Sequence, residues 1–334
     1  MTKQITTSFQ RGDAAGVSSK QSLIIKNFFL RYGTIVALLV VTLILAFTTP
    51  SFMTALNIKS MLAQTAVLGI VAIGLTFVSI PGEMDVSMGS VVTLSGVFAV
   101  SMMTKEYGLF AALAAAAAVG IVVGSINGLI SIYGHISSLI ATLTIGAIID
   151  GVSLLYTGGY RLYKGILPSY RYLGIGEFVN IPVPVIILIL VAVLAYLLAH
   201  QTVFGRRLFA IGGNTDAAIL MGINPKLHSL LSFILCSTAA ALAGVIVTAR
   251  VGTAEPFVRF GYVLDAFAVV FLGTTTSEEG EPHIPGTVLG ILIMGVLSNG
   301  MTLVGVPFFA QNILKGVIVL ITVVVSSIMR QQRK

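Results

Sequence analysis

The residues of this sequence able to do chemistry are few and widely spaced. Gly82-Glu83-Met84-Asp85-Val86-Ser87 sets two carboxylates and a hydroxyl in a break between two apolar runs, with Ser87 a candidate helix cap. Broken helices are one way to place polar groups beside a pathway. Within the protein, Glu83 and Asp85 could accept hydrogen bonds from solute hydroxyls or bind basic residues; at a surface they form a solvated turn. Asp150 and Lys315 stand alone inside other apolar runs. Counted from the run ends, both lie roughly 8–10 Å deep at 1.5 Å per residue. Charges at such depth usually face the protein interior and find a partner. The expectation is an Asp150–Lys315 ion pair; the alternative has Lys315 reaching the interface and Asp150 satisfied by nearby polar side chains.

Several kinds of chemistry have no residues to support them. No GxxxxGK[ST] loop occurs, so the chain is not expected to be its own ATPase. Neither HExxH nor GxSxG is present, and no catalytic residue is nominated. The four histidines, His135, His200, His228 and His283, are dispersed, so no metal site is expected. A single cysteine, Cys236, rules out an intrachain disulfide and reads as a packed core thiol.

The elements that must carry these residues are apolar helices. Hydrophobic residues form 56% of the 334 and charged residues 9%, against roughly 25% charged in a soluble domain. Apolar runs fall at 33–48, 61–80, 87–103, 108–133, 136–157, 182–199, 229–249, 263–273, 284–305 and 310–329. The fold class is therefore all-α: a polytopic transmembrane helical bundle of about ten helices in the lipid bilayer. The eighth run is short enough to be a half-helix. The expected divisions are a cytoplasmic tail over 1–31, a transmembrane domain over 32–329 and a cytoplasmic tail over 330–334. With both termini inside, eleven basic residues fall inside and seven outside, Arg250 among the latter, a modest bias of the expected sign. The net charge of +7 is scattered, with no stripe for nucleic acid. Gly120, Gly124 and Gly128, and Gly286 and Gly290, have the spacing of close helix packing.

One internal loop, about 200–228, is richer. It contains Gly205-Arg206, Gly212-Gly213-Asn214, Asp216-Ala217-Ala218 and Gly222-Ile223. The glycine pair reads as a turn, Asn214 or Thr215 as a cap, and Asp216 as a charge at the positive end of a helix dipole. Gly222 would stop that helix after about seven residues. A short capped helix with small Ala217 and Ala218 suits docking into another protein; an ordinary connector is equally consistent with the physics.

That loop resembles the cytoplasmic coupling segment of ribose-type ABC permeases, the membrane subunits that carry pentoses, hexoses and autoinducer-2. The likeness runs from about 33 to 329. It takes in Gly74-Leu75-Thr76-Phe77-Val78, Asp85-Val86-Ser87-Met88-Gly89-Ser90, Ile140-Ala141-Thr142-Leu143 and Leu264-Asp265-Ala266, and later Asn299-Gly300, Gln311 and Lys315-Gly316. The resemblance implies a permease subunit of a bacterial inner-membrane ABC importer for a monosaccharide or similar solute. It implies no cofactor of its own, since ATP would be bound by a separate ATPase subunit. It implies three partners: that ATPase, a periplasmic solute-binding protein and a second permease copy or paralogue. It gives Gly205, Arg206, Gly212, Gly213, Asn214, Asp216, Ala217, Ala218, Gly222 and Ile223 the coupling role. Glu83, Asp85, Ser87, Asp150, Asp265, Asn299, Gln311 and Lys315 become candidates for the solute pathway or its gating. The sequence departs from the family at Glu83, Asp150 and the acidic 278–281 turn, so the solute is left open. Alternatives are a proton-coupled transporter using its intramembrane acids, a membrane-embedded enzyme, or an ABC permease for a nucleoside or branched-chain amino acid. The external 158–181 loop, with Tyr160, Tyr163, Tyr170, Tyr172, Arg161, Lys164 and Arg171, suits interfacial anchoring or docking of an acidic binding protein.

Overall fold

The structure is a computed structural model and describes residue 36 and residues 38–257, 261–277 and 280–331, with side chains as far as 324. The 1–31 tail, residues 332–334, and Glu278 and Glu279 of the acidic turn lie outside the described residues. The chain is a helical bundle. Its helices are α1 (Leu38–Thr48), α2 (Ala55–Ser79), α3 (Met88–Thr104), α4 (Gly108–Gly128), α5 (Ser138–Thr157), α6 (Pro168–Ile175) and α7 (Val183–Tyr196). Then follow α8 (Val203–Gly213), α9 (Thr215–Leu220), α10 (Pro225–Val251), α11 (Gly261–Thr274), α12 (Ile284–Leu303) and α13 (Phe308–Gln331). Single π turns extend α4 through Leu129–Tyr133 and α7 through Leu197–Gln201. A two-stranded hairpin, β1 (Glu177–Phe178) and β2 (Ile181–Pro182), joins α6 to α7.

Length separates these helices into classes. Among the described residues six are long and apolar enough to cross a membrane: α2, α4 with its π turn, α5, α7 with its π turn, α10 and α12. Four more, α1, α3, α11 and the Phe308–Val324 part of α13, are apolar but shorter. The eighth apolar run is indeed short: α11 has 14 residues, or about 21 Å at 1.5 Å per residue.

The helix ends follow local chemistry. Thr54 caps α2, its Oγ1 accepting the Asn57 N–H at 3.3 Å. Asn224 caps α10 through the Leu227 N–H at 3.2 Å, Pro225 fills the first turn, and Gly252 closes the helix in a left-handed conformation.

Lipid is as apolar as the core, so van der Waals fit decides which helix faces touch. α2 is mostly enclosed, packed by α7, α10, α11 and α12, whereas α7 is mostly exposed. The glycine stripes mark the tightest seams. A Cβ on Gly124 would lie 2.6 Å from the Ile234 Cα, and one on Gly120 2.8 Å from the Ser237 carbonyl oxygen. Gly286 and Gly290 leave the same absence of space against the Gly273 and Val269 carbonyls, joining α12 to α11.

Gly124→Val should therefore lower the melting temperature of the detergent-solubilised protein sharply, since overpacking costs typically 1–3 kcal/mol or more. Gly151→Val, at a helical glycine with nothing within 4 Å, should leave it almost unchanged. Equal shifts would show that the α4–α10 seam is not the tight contact.

Candidate functional site

At the end of the bundle that carries α6, helices α2, α10, α11, α12 and α13 surround a cavity of about 870 Å³. Four of the eight nominated pathway residues line it: Asp265, Asn299, Gln311 and Lys315. Lys315 Nζ lies 2.7 Å from Asp265 Oδ2, with the two side chains only 11% and 18% exposed. The expected Asp150–Lys315 pair is therefore wrong. Lys315 is on α13, which packs against α11, while Asp150 is on α5, which packs against α3. Depth along a helix leaves the choice of neighbouring helix open. Asp150 lies beside the Ser90 hydroxyl, and its Oδ1 makes no hydrogen bond among the described residues.

Asn299 and Asn57 form a reciprocal amide pair, both bonds 2.9 Å, and Asn57 Nδ2 also donates to the Phe52 carbonyl at 2.9 Å. This pair ties the α6-side ends of α2 and α12 together. Gln311 Nε2 donates to the Val306 carbonyl at 2.9 Å. Gln64, Thr65, Arg250, Tyr262, Ser298 and Thr302 complete the polar lining, and the sequence nominated none of them. Arg250, assigned to an external loop from the sequence, is in the last turn of α10. The signal available was Gly252 two residues later, a helix stop that leaves Arg250 helical. Its backbone is clamped by α6: Arg171 Nη1 donates to the Arg250 carbonyl at 3.3 Å, and Gly174 packs directly on the Arg250 amide. Tyr170, fully buried, shares a 2.6 Å hydrogen bond with Thr248; burial raises its phenol above the ordinary value.

Glu83, Asp85 and Ser87 do not line the cavity. Asp85 is fully buried in the break between α2 and α3. Its Oδ1 accepts the Ser87 N–H at 2.9 Å and the Ser87 hydroxyl at 2.7 Å. Asn127 of α4 donates to Ser87 Oγ at 2.7 Å, and Ser237 and Cys236 of α10 lie against the carboxylate. Ser87 occupies the cap position of α3 but makes no side-chain capping bond; its hydroxyl is committed to Asp85 instead. The Met84 and Val86 N–H groups go to Ser138 Oγ and Thr142 Oγ1 of α5, at 3.1 and 3.0 Å. Asp85 and Ser87 thus fix the break, while Glu83 is half-buried beside it.

At the opposite end lies the segment nominated for coupling. Gly212 and Gly213 are the last residues of α8 rather than a turn, and the chain breaks at Asn214. Asn214 is the cap, its Oδ1 accepting the Ala217 N–H at 3.0 Å, while Thr215 Oγ1 donates back to the Ile211 carbonyl. α9 has six residues and ends before Gly222, which has a φ of +77°. Gly205 passes so close to the Ala199 carbonyl that a Cβ has no room, and Arg206 reaches the Gln201 carbonyl at 3.4 Å. Gly212 has the same relation to the Ile80 carbonyl, seating α8 on the α2–α3 break. Ala218 is fully buried within the chain, so of the two alanines only Ala217 faces outward, with Asp216. The outward apolar residues are Ile219, Leu220 and Met221, Leu220 being 89% exposed.

The chain belongs to the family described as the permease component of the branched-chain amino acid transport system, whose model matches residues 57–325. It is 37% identical over 305 residues to the ribose import permease protein of Escherichia coli K12, covering 90% of this chain and 95% of that one. It is 31% identical over 306 residues to the L-arabinose ABC transporter permease protein of Azospirillum brasilense, covering 91% and 89%. The D-allose transport system permease protein of Escherichia coli K12 is 30% identical over 308 residues, covering 92% and 94%. No solved structure matches.

Lys315→Ala should destabilise the protein by about 3–5 kcal/mol, the cost of leaving one member of a buried ion pair uncompensated. Asp265→Asn with Lys315→Gln should recover part of that loss in a thermal or denaturant titration. Asp150→Lys combined with Lys315→Asp should recover nothing. Recovery by that swap would reinstate the pairing rejected above.

Proposed function

We propose that this chain is the membrane permease subunit of a bacterial ABC importer for a monosaccharide, with the α6-side cavity as its solute pathway. The observation that carries the reading is the chemistry of that cavity. Amides, a phenol, hydroxyls and an internally compensated ion pair offer donors and acceptors at close range, as hydroxyl-rich solutes require. The relatives named for ribose, L-arabinose and D-allose support the same class of solute.

In this reading the chain is no enzyme: it holds no bound cofactor, and its energy comes from ATP on a separate ATPase subunit. It lies in the inner membrane with the α8–α9 end and both termini in the cytoplasm. Residues 32–329 form the permease domain between the two short tails, and a second copy or paralogue completes the pathway. A periplasmic solute-binding protein delivers the sugar to the α6 end.

The coupling contact is α9, assigned to its outward residues Ala217, Ile219, Leu220 and Met221 rather than to the buried Ala218. Apolar side chains this exposed at a helix end are suited to a protein groove. Gly205, Arg206, Gly212, Gly213, Asn214, Asp216, Gly222 and Ile223 hold that helix in place. A displacement of α8 would press on Ile80 through Gly212 and so reach the break held by Asp85 and Ser87. Asp85, Ser87, Glu83 and Asp150 are then gating or framework residues, and Asp265, Asn299, Gln311 and Lys315 belong to the pathway.

Leu220→Asp should leave the permease in the membrane but reduce co-purifying ATPase about tenfold or more, the equivalent of some 1.4 kcal/mol. Uptake should fall in parallel. The isolated chain, lacking a phosphate-cradling loop, should hydrolyse no ATP. Normal ATPase recovery and uptake in the Leu220→Asp variant would remove α9 as the coupling contact.

A further inference from the structure

We propose that Arg250 contacts the transported solute, its guanidinium donating hydrogen bonds to hydroxyl oxygens of the sugar. The inference rests on the reading of the chain as a sugar permease and adds to it a recognition residue that the sequence did not suggest.

Among the described residues, the other charges lining the cavity are paired. Asp265 and Lys315 satisfy one another at 2.7 Å. Outside it, Arg161 pairs with Glu255 at 3.4 Å and Lys59 with Glu177 at 2.8 Å. Arg250 lines the cavity, yet among the described residues no carboxylate lies within 4.0 Å of its guanidinium. Among the described residues it is a lining charge with no carboxylate partner, and it shares the lining with Tyr262.

The backbone of Arg250 is held more firmly than its side chain. Arg171 donates to its carbonyl at 3.3 Å, Gly174 covers its amide, and two residues earlier Thr248 bonds the buried Tyr170 at 2.6 Å. Each of these contacts uses main chain or neighbouring residues, so the α6 clamp does not need the Arg250 side chain. The clamp fixes the backbone from which Arg250 contributes to the cavity lining.

Guanidinium chemistry suits the task. It offers five donors in a planar fork and is more weakly hydrated than an ammonium, so it exchanges water for a ligand at low cost. Asn299, Gln64 and Gln311, as amides of the lining, can accept from the solute as well as donate, whereas Arg250 donates only. A sugar hydroxyl that gives its proton to an amide or to Asp265 still has an oxygen free to accept from Arg250.

The test uses the complete importer, with its ATPase and binding protein, in proteoliposomes. Uptake of the best-transported monosaccharide and of each of its monodeoxy analogues is measured for the wild type and for Arg250→Met. The ratio of wild-type to variant uptake is taken separately for each compound, which cancels the binding protein's own preference. The parent sugar should lose about tenfold or more, the range of a hydrogen bond to a charged group. The analogue lacking the contacted hydroxyl should lose much less, within about twofold, because its contact is already gone. Arg250→Lys, which keeps the charge and the stem but not the fork, should show the same dependence on analogue to a smaller degree. An identical loss for every compound in both variants, or no loss in either, overturns the proposal while leaving the permease reading intact. If the wild-type importer takes up no monosaccharide, the permease reading itself fails, and this proposal with it.

Discussion

In a hydrocarbon solvent, every backbone N–H and C=O left over at a helix break must find its partner inside the protein. The placement of this chain's few polar side chains follows largely from that constraint. The break between α2 and α3 frees three backbone donors that side chains take up: Met84 by Ser138, Val86 by Thr142 and Ser87 by Asp85. Asp85 is buried as the hub of this repair, held in turn by Ser87, Asn127 and Ser237. A carboxylate that reads in sequence as a possible solute ligand is thus occupied with the backbone. Polar groups with freedom to meet a solute lie at the other end, where the helices are intact and diverge around a cavity.

The two ends are joined by single rigid elements. α10 has 27 residues: it begins beside α9, passes the Asp85 cluster at Cys236 and Ser237, and ends at Val251, its last turn bringing Arg250 to the cavity wall. α2 lines the cavity at Met61, Gln64 and Thr65 and ends beside Ile80, where Gly212 of α8 is seated. Any displacement at α8 and α9 therefore acts on helices that also form the cavity, with no flexible linker between. Tight glycine seams make those helices move as packed bodies, since interfaces without free volume do not deform gradually.

How much of this was legible in the sequence depended on the kind of information each feature needs. Apolar runs and their lengths are one-dimensional, and they gave the bundle and its short α11. Asn214 and Gly222 have local chemistry, so the boundaries of α9 could be read from them. The Gly212–Gly213 pair could not: it looks like a turn, but it is glycine because α8 packs on the Ile80 carbonyl. The partner of Lys315 needed a third dimension. Helices apolar on every side carry no period to show which faces meet, so depth alone pointed to Asp150, and the true partner is Asp265. The inward face of Ala218 escaped for the same reason. Asp265, Asn299 and Gln311 were reached only through the family resemblance, and Arg250 was lost by placing a helix end two residues too early.

The pathway is tested most directly by thiol accessibility, because the chain's one cysteine, Cys236, is buried. A cysteine replacing Ser298, which lines the cavity, would be exposed to a membrane-impermeant methanethiosulfonate in the assembled importer, with and without a trapped nucleotide. If the cavity is the pathway, this cysteine reacts readily in one nucleotide state and is protected in the other, while Cys236 stays unmodified in both. Equal labelling in both states, or none in either, would contradict a cavity that opens and closes with the transport cycle.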